Sequence, residues 1–105
     1  MEEKIQERAV LVGLNADCFT QEQTATEESL EELEALLETA GGFCTGKMLQ
    51  NRHVPDSHCF IGEGKALEVK MLVEATASTM VIFDNELSPG NIRALEEIIG
   101  VTVLD

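Results

Sequence analysis

Few places in the sequence carry residue types that could do chemistry. Gly62-Glu63-Gly64-Lys65 is a glycine-rich turn after a short apolar stretch. Such a turn, opening a helix, aims free backbone N–H groups at one point and can hold a phosphate. It lacks the third glycine of a dinucleotide fingerprint and is shorter than the G-x-x-x-x-G-K cradle of nucleoside triphosphatases. Glu63 also puts a negative charge where a phosphate would sit. Gly62, Gly64 and Lys65 are therefore the residues open to a purine nucleotide, ATP or GTP, against the plainer reading of a tight turn into a helix. His53 and His58, with Cys59 beside the second, are zinc-ligand types. A proline loop between the two histidines enforces no ligand geometry, so no metal site is read. Asp17, Asp84 and Glu86 follow apolar runs, where open α/β sheets place their ligand crevice. Carboxylates there also serve as caps and solvated groups, and no catalytic set emerges.

These residues need elements to position them. Arg8–Leu14 is a nearly continuous apolar run, the pattern of a strand buried on both faces. A first helix follows, with Thr24 as N-cap and Glu27 three residues on as a capping box. Leu30, Leu33, Leu36, Leu37 and Ala40 recur at helical spacing as its buried stripe, and Gly41-Gly42 ends it. Phe43–Gln50 reads as a strand, with Gly46 weakening it or marking a bulge, and His58–Ile61 as another short one. The second helix runs from Gly62 to about Ala77, with a broad apolar face that should be heavily covered. Thr79–Phe83 is a strand. Ser88-Pro89 starts a third helix, which Gly100 caps, and Val101–Leu104 is the last strand. The order β-α-β-β-α-β-α-β predicts an α/β fold, a mainly parallel sheet of four to five strands with three helices on its faces. The sheet is mixed if the strands at 43–50 and 58–61 pair antiparallel. Residues 8–105 form one domain behind a flexible N-terminus over 1–7.

Composition narrows the function classes. The chain has 105 residues, 44% of them apolar and 26% charged, an ordinary globular mix. With no Trp or Tyr and only four Phe, it offers little for stacking on single-stranded nucleic acid. A net charge of −13 argues against an autonomous DNA or RNA binder, because phosphate neutralisation supplies most of that affinity. The charge is uneven: residues 43–70 hold four of the seven bases. Three scattered cysteines read as small buried hydrophobes in a reducing compartment. With no signal peptide and no membrane-length apolar run, the expected location is the cytoplasm.

Several of these segments carry a resemblance in order and spacing. Glu28-Ser29-Leu30-Glu31-Glu32-Leu33, Ala40-Gly41-Gly42, Phe60-Ile61-Gly62-Glu63-Gly64-Lys65, Val81-Ile82-Phe83-Asp84-Asn85-Glu86-Leu87-Ser88-Pro89 and Val101-Thr102-Val103-Leu104-Asp105 are among them. Together they resemble the N-terminal domain of HflX-type GTPases, over about residues 8–105. The resemblance implies an α/β unit that a helical hairpin and a GTPase domain follow. It implies a ribosome-associated protein that binds the large subunit and its rRNA and splits ribosomes under stress. GTP and Mg²⁺ belong to the full-length family. No cofactor is expected in this segment, which lacks the GTPase motifs and so has no catalysis of its own. The family's own accounts also give this region a purine-nucleotide role. A module that only positions the GTPase domain is a third reading. On the resemblance, Lys47, Arg52 and Lys65 form the RNA-contacting patch, with the glutamate face of the first helix turned away. The expected partners are the large subunit and the protein's own GTPase domain, with neither membrane nor DNA. The sequence departs from the family in its basic loop, which reads Asn51-Arg52-His53-Val54-Pro55, and in Phe60, where relatives carry Tyr.

Overall fold

The computed structural model describes residues 6–105. Four strands, β1 (Arg8–Ala16), β2 (Phe43–Arg52), β3 (Met80–Phe83) and β4 (Thr102–Leu104), alternate with α1 (Glu27–Thr39), α2 (Glu63–Thr76) and α3 (Pro89–Ile99). The strands lie in the order β2-β1-β3-β4 and every pairing is parallel. The fold is α/β, as the alternation of elements predicts, and the sheet is wholly parallel. Of the flexible N-terminus expected over 1–7, residues 1–5 lie outside the described residues. The Glu7 carbonyl accepts the Phe43 N–H at 2.8 Å.

β1 is the central strand, and its apolar run divides by alternation between two cores. Val10, Val12 and Leu14 face α2 and α3, where Val69, Leu95 and Ile99 close a continuous buried cluster. Ala9 and Leu11 face α1 and meet Leu30. One residue of β2, Thr45, is skipped in the register with β1, so the bulge falls beside Gly46 as its glycine predicts.

Three local expectations give way. His58–Ile61 is not a strand: it makes one isolated antiparallel bridge, Asp56 to Phe60, with backbone bonds of 2.8 and 2.9 Å. Only three residues separate the bridged pair, too few for a ladder, so the segment folds back on itself as a loop. The α1 cap is Thr26, not Thr24. Its hydroxyl accepts the Ser29 N–H at 3.0 Å while the Ser29 hydroxyl oxygen accepts the Thr26 N–H at 2.7 Å. Thr24 instead bonds back to the Thr20 carbonyl. Finally, α2 buries Ala66, Val69 and Val73 but leaves Leu67 and Met71 exposed, because these lie on the side of the helix away from the sheet.

The close of α1 over β1 depends on Gly13. A Cβ there would stand 2.6 Å from the Ala25 Cβ, so the loop entering α1 rests directly on strand backbone. Ser88 caps α3 as predicted, accepting the Asn91 N–H at 3.1 Å, with Pro89 in the first turn and Gly100 left-handed at the end.

Candidate functional site

With all strands parallel, their carboxyl ends share one edge, and the loops there hold nearly every residue singled out above. β1 turns one way in the sheet and β3 lies on its other side, so a crevice is expected between the two. A cleft of about 630 Å³ opens there, lined by Phe19, Phe60, Phe83 and the loop Asp84–Glu86, with Glu22 and Asp105 at its sides.

Side-chain ties build this edge. Beyond Phe83, the Asn85 amide replaces the missing strand residue: its Oδ1 accepts the Leu14 N–H at 2.8 Å and its Nδ2 donates to the Leu14 carbonyl at 3.0 Å. Nδ2 also reaches the Gln23 carbonyl at 3.1 Å, fixing the loop ahead of α1. The Ser29 hydroxyl donates to Asp84, which joins the α1 capping box to the end of β3. Asp105 accepts the Leu87 N–H at 2.8 Å. Asn91 donates to the Ser57 and His58 carbonyls, holding the 53–61 loop against α3. Sequence patterns show such residues as caps or acids. They do not show that Ser29, Asp84, Leu87 and Asp105 meet as pairs 18 to 55 positions apart.

The 53–61 loop has its own anchor. Asp56 accepts the His58 and Cys59 N–H groups at 2.8 and 2.9 Å, and these bonds hold its carboxyl below the usual carboxylate value. Burial pushes the Cys59 thiol up. Phe60 follows with φ +67°, a conformation bulky residues rarely adopt, and stacks on Phe19 at 6.3 Å and edge-on to Phe83 at 6.1 Å.

The three basic candidates are placed on two sides of the sheet. Lys47 faces α1 and pairs with Glu34 at 2.6 Å, which raises the lysine's pKa and lowers the glutamate's. Arg52 lies at the end of β2 near the start of α2. Its Nε donates to the Val54 carbonyl at 3.0 Å and Nη1 to the Ile61 carbonyl at 3.2 Å. Gly62 has φ +85°, and a Cβ on it would strike Arg52 Nη1 at 2.5 Å, so the glycine serves the guanidinium's approach. Lys65 pairs with Glu68 at 3.0 Å. Arg52 and Lys65 are thus on one side and Lys47 on the other.

For a nucleotide, the start of α2 has no side-chain cap, and Gly62, Gly64 and Lys65 lie there together. The crevice proper is unsuited to a triphosphate: Glu22, Asp84, Glu86 and Asp105 surround it, and no Lys or Arg lines it among the described residues. His53 pairs with Asp17 at the surface, apart from His58, which is exposed. Among the described residues no group of three or more His, Cys, Asp and Glu side chains comes together as metal ligands. Of the cysteines, Cys59 is buried as expected, Cys44 half-buried and Cys18 exposed on the loop after β1. Among the described residues no helix is long and apolar enough to cross a membrane.

Comparison with known proteins accords with this geometry. Residues 27–105 match the family model described as GTP-binding GTPase N-terminal. The GTPase HflX of Escherichia coli is 38% identical over 99 residues, covering 94% of this chain and 22% of the relative. That of Alkalihalophilus pseudofirmus is 35% identical over 99 residues, covering 94% and 23%. That of Thermofilum pendens is 41% identical over 76 residues, covering 72% and 18%. The chain spans less than a quarter of the length of these curated relatives. The matched segments contain the Ser29–Asp84 and Leu87–Asp105 ties, and the chain belongs to the GTP-binding GTPase N-terminal family, as the domain it shares with HflX GTPases.

Proposed function

We propose that this chain is a non-catalytic accessory domain of an HflX-type GTP-binding protein that works in the cytoplasm on the large ribosomal subunit. The observation that carries this reading is how the family's signature residues are spent. Asp84 holds Ser29, Asn85 holds Leu14, and Asp105 holds Leu87. Residues committed to holding loops support a scaffold that presents a surface, rather than a centre of turnover. Hydrolysis of GTP with Mg²⁺, and the splitting of ribosomes, then belong to the whole protein, whose GTPase domain this unit also positions.

In this reading Arg52 and Lys65 contact rRNA phosphates from the α2 side, and Lys47 from the α1 side. Each must share or leave its present partner to do so. Contacts are few, and screening over about 8 Å at physiological salt lets local positive charges on each side act within a net-negative domain. The test is binding of the chain to purified large subunits at stepped salt. The log-log slope should be no steeper than about −3, near −0.9 per phosphate for three contacts. Lys65→Glu should weaken binding, and Glu32→Lys, exposed on α1 and not among the groups acting on Lys47, should change it little. Equal and opposite effects would mean non-specific electrostatics and remove the proposed face. Hydrolysis of ATP or GTP that copurifies with the chain and disappears in Lys65→Ala would overturn the non-catalytic part.

The uncapped start of α2 favours a second reading, a weak purine-nucleotide site at Gly62, Gly64 and Lys65. Saturable amide shifts centred on those residues with millimolar ATP would establish it. Flat spectra there would exclude it.

A further inference from the structure

We infer that the uncovered half of the α1 face, over β3 and β4, seats a helix from the stretch that follows Asp105 in the full-length protein. This rests on the chain being one domain of a longer GTP-binding protein, and it names the surface that holds the rest. Two rows of neighbours across the sheet carry it. On the α2–α3 face, Val10, Val81 and Val103 are 0%, 0% and 2% exposed, so cover reaches the edge strand. On the α1 face the adjacent row opens outward: Leu11 is fully buried, Ile82 half-buried and Leu104 43% exposed. Two strands are about 10 Å across, the width of one helix, so four strands take two helices on each face. α2 and α3 fill one face, whereas α1 covers only β1 and β2 on the other.

Beside α1 lies a trough of about 290 Å³, lined by Leu37, Met80, Ile82 and Leu104. Leu33 and Leu36 share that flank of α1 with Leu37 at helical spacing, and Leu36 is 68% exposed. The occupant follows from length and direction. The family match is to a GTPase N-terminal region, and the chain spans less than a quarter of its relatives, so the longer protein continues past β4. β4 delivers it beside the trough, with Leu104 in the lining and Asp105 tied to the Leu87 N–H. A helix turning back over the α2–α3 face meets α3, already packed on β4. Turning back over the α1 face, it meets the open apolar trough. A second copy offering its own α1 would press that helix's outer side onto apolar strands. Glu28 and Glu32 lie on that outer side, exposed, and burying them unpaired is costly.

The test compares amide hydrogen exchange, read by mass spectrometry, in the full-length protein and in this chain. Slow exchange of the central strand β1 in both reports that both are folded. Peptides from α1 and β4 should exchange about tenfold slower in the full-length protein, and those from α2 at the same rate. In the full-length protein, Leu36→Ser with Leu104→Ser should return α1 and β4 to within about twofold of this chain's rates. Leu67→Ser with Met71→Ser removes comparably exposed apolar groups from α2 and should leave α1 and β4 slow. Equal α1 and β4 rates in the two proteins would overturn the inference. So would slowing in this chain alone as its concentration rises, the mark of a second copy. Slowing that needs added large subunits would overturn it too, giving the trough to a partner. No ribosome enters the main comparison, so it and the salt titration on large subunits fail independently.

Discussion

The two faces of the sheet are built differently. One face carries two helices, α2 and α3, whose Ala66, Val69, Val73, Ala94, Leu95 and Ile99 are all buried. The other carries α1 alone, which buries only Leu30. Its Leu33 and Leu37 are half-buried, and Leu36, in the middle of the predicted stripe, is 68% exposed. The strand order explains the difference. The connection from β1 runs toward β2 and places one helix on its face, whereas the next two return across the sheet and share the opposite face. A leucine stripe at helical spacing shows that a helix can be amphipathic. Whether all of it is covered depends on how many strands lie beneath and what lies beside it.

Core truncation should break the comparison most sharply. Leu95→Ala on α3 leaves a cavity in a closed cluster and should cost about 2–5 kcal/mol, read from urea melts. Leu33→Ala on α1 should cost about 1–2 kcal/mol, since part of that side chain already meets water. Equal costs would mean that the α1 face is as closed as the other, and the asymmetry would be wrong.

Caps provide a smaller and more even contrast. Ser88→Ala and Thr26→Ala each remove an N-cap hydroxyl and should cost about 0.5–2 kcal/mol. Thr26→Ala should fall toward the upper part of that range, because its box partner Ser29 also holds Asp84 and so links α1 to β3. Thr24→Ala at the neighbouring position, with no role in the cap, should cost less than either. A larger loss at Thr24 than at Thr26 would return the cap to the position the sequence pattern favours.

The smallest effect concerns pH at the loop beside the cleft. The folded Asp56 carboxyl is held below its usual 3.8, chiefly by the Cys59 and then the His58 N–H. A lowered folded pKa favours the ionised form, so this stabilisation is present in full above the ordinary value and is lost as pH falls through the folded one. The gap in urea midpoint between the native chain and Asp56→Ala should therefore be widest near neutral pH and shrink below about pH 4. A gap that stays constant down to pH 3 would remove the ionised carboxylate as the anchor of the 53–61 loop.

Much of this molecule was legible from its residues in order. The apolar run Arg8–Leu14, the Ser88-Pro89 start and the glycine stop at Gly100 are local signals, and each names an element that formed. Their alternation named the fold class, because short loops and helical connections leave a parallel sheet as the economical arrangement. The family motifs were equally local and identified the family. Tertiary structure alone decided the rest. Asp84 and Ser29 are 55 positions apart, and nothing in either neighbourhood specifies the other. Their bond exists because the parallel strand order brings the end of β3 beside the start of α1. The same order set one helix against two across the sheet, exposed Leu36, and parted Lys47 from Arg52 and Lys65. It also gathered Phe19, Phe60 and Phe83, from three separate segments, into one aromatic cluster. Local propensity acts over a turn or a strand, whereas a site needs distant residues within a few ångströms, and only strand order and register supply that.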